Sequence, residues 1–392
     1  MLTLTAVPAG PGQAQAVRDR IGALVSGPLP ADAEVRGDWV RAPGARSGAV
    51  IYVHGGGFTD TWPEAERMMA YRLSRTTGRP ALRVAYRPAP AHPYPAALDD
   101  VLAAWRSVLD TGVPASEVVF VGESAGATLV LSALLEIKRT GGPLPGAAVA
   151  VSPVTDLALT GASLTTNDGK DLIDRAALAA VSDRYLAGAG PRHAPQSPLY
   201  GDLRGLPPLL VAVGTDEVLL DDARRFAEAA DAAGVSVRLD TYEDAPHSFH
   251  LSDLGEVLLD RIGRWLADPV RDHTVSGPDA GPYALAEGPD GALWFTEIGA
   301  GQIGRITVDG TVTEYPLPDR QARPHALTTG PDGALWFTEW GSGRVGRLTT
   351  DGRFTGYDLP RPDCEPHGIA AYRGAVWCAL ETGSLAAVEV SR

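Results

Sequence analysis

Ten residues, GPDGALWFTE, stand at 288–297 and recur letter for letter at 330–339. The longer phrases around them begin at Pro282, Pro324 and Pro366, so the period is 42 residues, and the third copy, PHGIAAYRGAVWCALE, has diverged. Each unit splits into short strand candidates (ALWFTE; GQIGRITV or GRVGRLTT; TVTEYPLP or FTGYDLP). Asp-Gly and Pro-Asp-Gly separate them, turn sequences in which glycine accepts positive φ and proline presets φ at about −65°. Repeats of this length predict β-propeller blades, whose apolar faces are buried only against neighbouring blades. Four of the eight tryptophans, Trp294, Trp336, Trp340 and Trp377, lie in this stretch and supply such faces.

Upstream the periodicity is different. AVIYVHGGGF (49–58), ALRVAYR (81–87), VVFVGESAG (118–126), GAAVAVSPVTDL (146–157), PPLLVAVGTDE (207–217) and VSVRLDTYE (235–243) read as strands. HPYPAALDDVLAAWRSVLD (92–110), ATLVLSALLEIKRT (127–140), DDARRFAEAADAAG (221–234) and GEVLLDRIGRWLAD (255–268) read as helices. Strands alternating with helices predict an α/β fold, its central sheet mostly parallel and covered on both faces. Residues 1–48 hold one amphipathic helix candidate (Val17, Ile21, Leu24, Val25), either a small cap over a site or a packing helix. DPVRDHTVSGPDA (268–280) is polar, carries proline and glycine, and reads as a linker. The expected organisation is therefore an N-terminal cap or edge segment (1–48), an α/β catalytic domain (49–267), a linker (268–280) and an all-β domain of three blade repeats (281–392).

The net charge of −14 argues against nucleic acid and anionic membranes as partners. No run of about 18 apolar residues predicts a membrane span. The start, MLTLTAVPAGPGQAQAVRDR, lacks the basic and apolar regions of a secretory signal. The two cysteines, Cys364 and Cys378, fit no metal pattern and read as reduced thiols, so a cytoplasmic location is expected.

The chemistry concentrates around GESAG (122–126). A G-x-S-x-G pentapeptide between an apolar strand and a helix is the setting of a nucleophile elbow, with Ser124 exposed above the sheet and Gly122 and Gly126 relieving the turn. HGGG (54–57) follows an earlier strand, and its glycines let backbone N–H groups approach a developing oxyanion, joined by the amide of Ala125. A serine hydroxyl needs a base, and the base an orienting acid, in the chain order Ser, Asp, His. Asp216 follows a strand directly, and His247 lies in the loop after the next one. His250 is the competing base, and Asp221 and Asp222 the competing acids. The latter pair suits the start of a helix, where carboxylates favour the dipole. Asp244 stands too close to His247, and His92 and His193 read as loop residues.

HGGGF, YRPAPAHPYPAALDD, GESAG, SPVTDL, GTDEVLLDDA and HSF, in that order, resemble the hormone-sensitive lipase family of α/β-hydrolases over roughly residues 35–267. The resemblance implies an α/β-hydrolase fold, Ser124 as nucleophile with Asp216 and His247 as partners, and Gly56, Gly57 and Ala125 as oxyanion donors. It also implies hydrolysis of small-molecule carboxylic esters of short or medium acyl chain, with no cofactor. Residues 1–48 supply less helix than that family's cap.

The repeats are similar to the streptogramin B lyase family, seven-bladed propellers that open a macrocyclic ester by metal-dependent elimination. That resemblance implies His325 as a substrate contact, His367 as general base, and Glu365 and Glu381 as ligands of Mg²⁺. His325 and His367 also occupy equivalent repeat positions beside a proline, which a scaffold role explains equally. Three blades do not close a ring, and open ends expose apolar faces. A working lyase, a homodimer in which two tails complete a six-bladed ring, a remnant packed on the hydrolase, and a module that binds substrate or partner for the esterase are the readings left open.

Overall fold

Period-two alternation in the N-terminal strands sorts their side chains onto two faces of one sheet. In β4 (Ala49–Val53), Ala49, Ile51 and Val53 join one core layer while Val50 and Tyr52 join the other. β6 (Val118–Glu123) repeats this, with Val118 and Phe120 on the first side and Val119 and Val121 on the second. Both layers being filled, the strands read as continuous apolar runs.

The computed structural model describes residues 2–8, 13–267, 277, 279–307 and 311–390, in two compact units, Met1–Asp272 and His273–Arg392. The expected linker lies outside the described residues except at positions 277, 279 and 280.

The first unit has the sheet order β1-β9-β8-β7-β6-β4-β5-β3-β2. β4, β5 (Ala81–Val84), β6, β7 (Ala147–Val151), β8 (Leu209–Gly214) and β9 (Val237–Tyr242) run parallel. The N-terminal segment extends this sheet at both edges. β1 (Thr3–Val7) pairs in parallel with β9, while β2 (Glu34–Arg36) and β3 (Trp39–Arg41) form an antiparallel hairpin on β5. The helix expected from Val17 to Val25 is shorter: α1 (Gln13–Asp19) ends before Gly22, which takes φ +90°, and Leu24 and Val25 fall in a 3-10 turn.

α3 (Ala96–Asp110), α4 (Ala125–Arg139), α6 (Arg175–Leu186) and α7 (Leu220–Ala232) cover one face. α2 (Pro63–Thr77) and α8 (Leu254–Ala267) cover the other, and α5 (Ser163–Thr166) is a single turn. α2 starts on Pro63, with the Glu66 carboxylate accepting from the Trp62 N–H at 2.6 Å, and stops on Gly78 in the left-handed conformation. No described helix is long and apolar enough to cross a membrane.

The second unit is all-β. β10 (Pro282–Glu287), β11 (Leu293–Glu297), β12 (Gln302–Ile306) and β13 (Val312–Pro316) form one antiparallel meander. β14 (Pro324–Thr329), β15 (Leu335–Glu339), β16 (Arg344–Leu348) and β17 (Phe354–Asp358) form the second, and β18 (Pro366–Tyr372), β19 (Ala375–Leu380) and β20 (Ser384–Glu389) the third. The repeated phrase folds the same way twice. Asp290 accepts from the Trp294 indole N–H at 2.9 Å and from Arg305 at 2.7 Å. Asp332 accepts from Trp336 at 2.9 Å and from Arg347 at 2.6 Å. Blades are stitched along their inner strands by Thr296 Oγ1 donating to the His325 carbonyl (2.8 Å) and Thr338 Oγ1 to that of His367 (3.0 Å).

Candidate active site

β6 turns into α4 through a single residue, Ser124, held at φ +51°, ψ −122°. The turn is this sharp because its flanks lack side chains. A Cβ on Gly122 would stand 2.4 Å from the Gly126 carbonyl oxygen, and one on Gly126 would stand 2.1 Å from that of Val53. The Ser124 N–H donates to the Val151 carbonyl at 2.8 Å, tying the elbow to the neighbouring strand. The hydroxyl, half-buried, is left at the carboxyl end of the sheet.

The HGGG loop runs directly over it: a Cβ on Gly55 would lie 3.3 Å from that of Ser124. Gly56 and Gly57 take φ +99° and +57°, which side chains resist. Tyr86 fixes the loop from below, its hydroxyl donating to the His54 and Gly55 carbonyls at 3.2 and 3.1 Å and its ring stacking on His54. Burial lowers the His54 pKa, and its Nδ1 lies 2.8 Å from the Gly55 carbonyl oxygen. The amides of Gly56 and Gly57 belong to no helix or strand, and that of Ala125 opens α4, where an N–H has no intrahelical acceptor.

His247 lies in the loop after β9. The Ser124 hydroxyl donates to its Nε2 at 3.0 Å, and its Nδ1–H donates to a carboxylate at 2.9 Å. That carboxylate belongs to Glu217, not to the expected Asp216. Glu217 is fully buried, and its other oxygen accepts from the Ser152 hydroxyl and the Gly214 N–H, both at 2.7 Å. Asp216 is part-exposed, 3.6 Å from Arg18, and makes no hydrogen bond to His247 among the described residues. The two neighbours sit on one turn after β8, and the turn directs the second beneath the imidazole. No periodicity could have distinguished them.

Burial would lower the His247 pKa, but the hydrogen bond and charge of Glu217, with the charges of Asp171 and Glu123, outweigh it and raise the pKa. Asp171 carried no sequence signal. It comes from the loop between α5 and α6 and accepts from the His247 N–H at 2.6 Å and the Val218 N–H at 2.7 Å, so it pins the base loop and the acid loop together. Burial and the Glu217 charge push its own pKa up. His250 is bound elsewhere, 2.7 Å from Glu123, which also accepts from Tyr52. Asp221 accepts from the Ser163 N–H, and Asp222, pushed up to about 6 by burial, accepts from the Thr155 and Asp156 N–H groups. Neither approaches His247 by any hydrogen bond among the described residues.

A hydroxyl, an imidazole and a buried carboxylate linked in series, beside backbone amides outside any ladder, are an arrangement that can support acyl transfer by a serine nucleophile. All of these groups are side chains and backbone of this chain.

In the second unit, Glu365, His367 and Glu381 bring one ligand atom each within 4.8 Å of one another. His367 Nε2 is 3.3 Å from Glu381, and Trp340 donates its indole N–H to Glu365 at 3.2 Å. His325 adjoins them, its ring centroid 4.9 Å from that of His367. The two exposed carboxylates offer oxygen ligands that suit a hard divalent cation, with the imidazole beside them.

Residues 50–251 match the model of a family described as alpha/beta hydrolase fold, and residues 256–388 that of the virginiamycin B lyase family. An acetyl-hydrolase of Streptomyces hygroscopicus is 44% identical over 55% of this chain and 71% of its own. An esterase of Acinetobacter venetianus is 35% identical over 56% and 73%. A crystal structure of an esterase from the bacterial hormone-sensitive lipase family, 40% identical, superposes with a TM-score of 0.59 over 62% of this chain and 86% of its own. An esterase structure soaked with p-nitrophenyl butyrate, 35% identical, gives 0.59 over 66% and 92%. The chain therefore belongs to the α/β-hydrolase fold family, in its hormone-sensitive lipase branch, and is a carboxylic ester hydrolase that carries a virginiamycin B lyase-like region at its C-terminal end.

Proposed function

We propose that this hydrolase cleaves small esters of short or medium acyl chain through a Ser124–His247–Glu217 triad. Ser124 Oγ attacks the ester carbonyl as its proton passes to His247 Nε2. Glu217 holds the imidazole in the Nδ1–H form and stabilises the imidazolium without taking the proton. The N–H groups of Gly56, Gly57 and Ala125 receive the oxyanion, each donor contributing about 3–4 kcal/mol to the transition state. His247 returns its proton to the leaving alcohol, and water, deprotonated by the same ring, clears the acyl-enzyme. The observation that carries this reading is the continuous chain of two hydrogen bonds, 3.0 and 2.9 Å, from hydroxyl to imidazole to buried carboxylate. The names of the acetyl-hydrolase relative and of the butyrate-soaked esterase favour short acyl groups. Two free, buried thiols, Cys364 and Cys378, favour a reducing compartment such as the cytoplasm. The test is turnover of a p-nitrophenyl ester series from acetate upward. Ser124→Ala is expected to lower kcat by at least about 10⁴-fold with the melting curve unchanged. Turnover that survives this substitution overturns the proposal.

A second reading attaches to Glu365, His367 and Glu381, because they converge in a region that matches the virginiamycin B lyase family. Glu365 and Glu381 would hold a divalent cation, which when bound supplies polarisation of an ester carbonyl. His367 would take a carbon-bound proton. Opening of a streptogramin B ring that fails with chelator and in His367→Ala, but persists in Ser124→Ala, supports it; no ring opening by the wild type rejects it.

A further inference from the structure

The three blades use the same positions to pack on one another, so strand register identifies which surfaces a blade keeps for its neighbours. Trp294 pairs with Arg305 and Thr296 with Ile303 in the first blade; Trp336 pairs with Arg347 and Thr338 with Val345 in the second. In the third, Trp377 pairs with Ala387 and Ala379 with Leu385. Trp294, Trp336 and Trp377 are thus one structural position, and Ile303, Val345 and Leu385 another. At the first two copies both positions are buried, Trp294 and Ile303 in a cluster with Leu327 and Leu335 of the second blade, Trp336 and Val345 in a cluster with Val376 and Cys378 of the third. At the third copy they stand open, Trp377 38% and Leu385 67% exposed.

The opposite end shows the complementary half. Leu285 and Leu327 occupy one position, as do Leu293 and Leu335, each pair lying at the same register between the first two strands of its blade. Leu327 and Leu335 are buried by the preceding blade, whereas Leu285 is 65% and Leu293 42% exposed. Among the described residues no blade covers either face. One end of the arc therefore presents the Trp/Leu half of a blade–blade interface and the other end the Leu/Leu half that fits it.

We propose that the occupant of each face is the opposite end of a second copy of this chain. The third blade of one protomer packs on the first blade of its partner and the reverse, closing a six-bladed ring with a two-fold axis. A heterologous, head-to-tail contact whose rotation closes after two copies gives a finite dimer, and six blades lie within the range of closed propellers. The two sets of side chains that meet are those already packed together twice within each chain. Closure also sets the Glu365, His367 and Glu381 clusters of both protomers around one central axis.

Sedimentation equilibrium of the full chain tests this. The wild type is expected at twice the 41.0 kDa of one chain, and Leu285→Lys and the pair Trp377→Glu, Leu385→Glu are each expected at the monomer mass. Ester hydrolysis by either variant should stay unchanged, since neither face belongs to the serine site. Mixing the two variants decides the polarity. A head-to-tail ring retains one intact interface and sets Lys against Glu in the other, so the dimer returns at about 1:1 stoichiometry. A monomeric wild type, a dimer that persists in both variants, or failure of the mixture to reassociate while each component shows a native melting curve overturns the proposal.

Discussion

At the residue scale the site turns on the two adjacent carboxylates after β8. Glu217→Gln removes the charge that fixes the His247 tautomer, so kcat should fall by about 10³–10⁴-fold, as for loss of the acid in other triads. Asp216→Asn alters a part-exposed group beside Arg18, and kcat should stay within about threefold. Steady-state kinetics on p-nitrophenyl acetate separates them; equal losses in both would return the acid role to doubt. Because His247 must be neutral to accept the serine proton and its pKa is raised, the acid limb of kcat/KM should lie above the ordinary imidazole value of about 6.5. Asp171→Asn withdraws one of the charges that raise it, so the limb should move to lower pH, a shift that mere loosening of the loop would not produce. In stability terms the raised pKa of His247 contributes fully below the unfolded-state value and is lost as pH rises through the folded one. Ser124 and His247 were legible because a strand, G-x-S-x-G and a helix, and a histidine in a strand-end loop, each carry a pattern. Glu217 and Asp171 were not, because one depends on the direction of a turn and the other on a loop more than 40 residues away in sequence.

At the element scale the strand–elbow–helix unit is the most constrained piece of the fold. Gly126→Ala places a methyl group 2.1 Å from a backbone carbonyl of β4, where nothing flexible can yield. Overpacking of this kind costs at least about 2 kcal/mol, which for a unit of this size lowers Tm by about 4–8 °C. Calorimetry should show that loss together with reduced hydrolysis, because the displaced strand carries the HGGG loop. An unchanged Tm would mean that the elbow is far looser than its geometry. Among the strands expected from sequence, β4, β6, β7 and β8 are nearly continuous apolar runs buried on both faces, and β9 interleaves buried Val237, Leu239 and Tyr242 with polar residues. The elements left unassigned lack such patterns. β1, TLTAV, is an edge strand exposed along most of its length, and β2 and β3 are three residues each. α2 interleaves Met68, Met69, Tyr71 and Leu73 with charges, and of the twelve residues of α6 only Leu178, Ser182, Tyr185 and Leu186 are buried. Such elements are stabilised by the partner that the sheet offers them rather than by their own periodicity.

At the scale of the whole molecule the abrupt change of period near residue 268 marks two units that fold by different rules. The first closes a sheet between two helical layers, and its core clusters draw on residues 2–266; those of the second draw on residues 284–390. Ser124, His247, Glu217, the HGGG loop and Asp171 all belong to the first unit, each positioned by strands and loops of that unit. A chain ending at Asp272 therefore keeps every group invoked for ester cleavage and both layers that support them. It should retain kcat/KM for p-nitrophenyl acetate within about threefold of the full chain, with a single cooperative melting transition. Chelator should leave that activity untouched in both forms, because the serine chemistry draws on no cation. If the truncated protein melts cooperatively yet hydrolyses small esters at under about a tenth of the full-length rate, the repeats contribute directly to the esterase site. If only bulky or cyclic esters lose their rate, the repeats select substrate for a site that is otherwise self-sufficient.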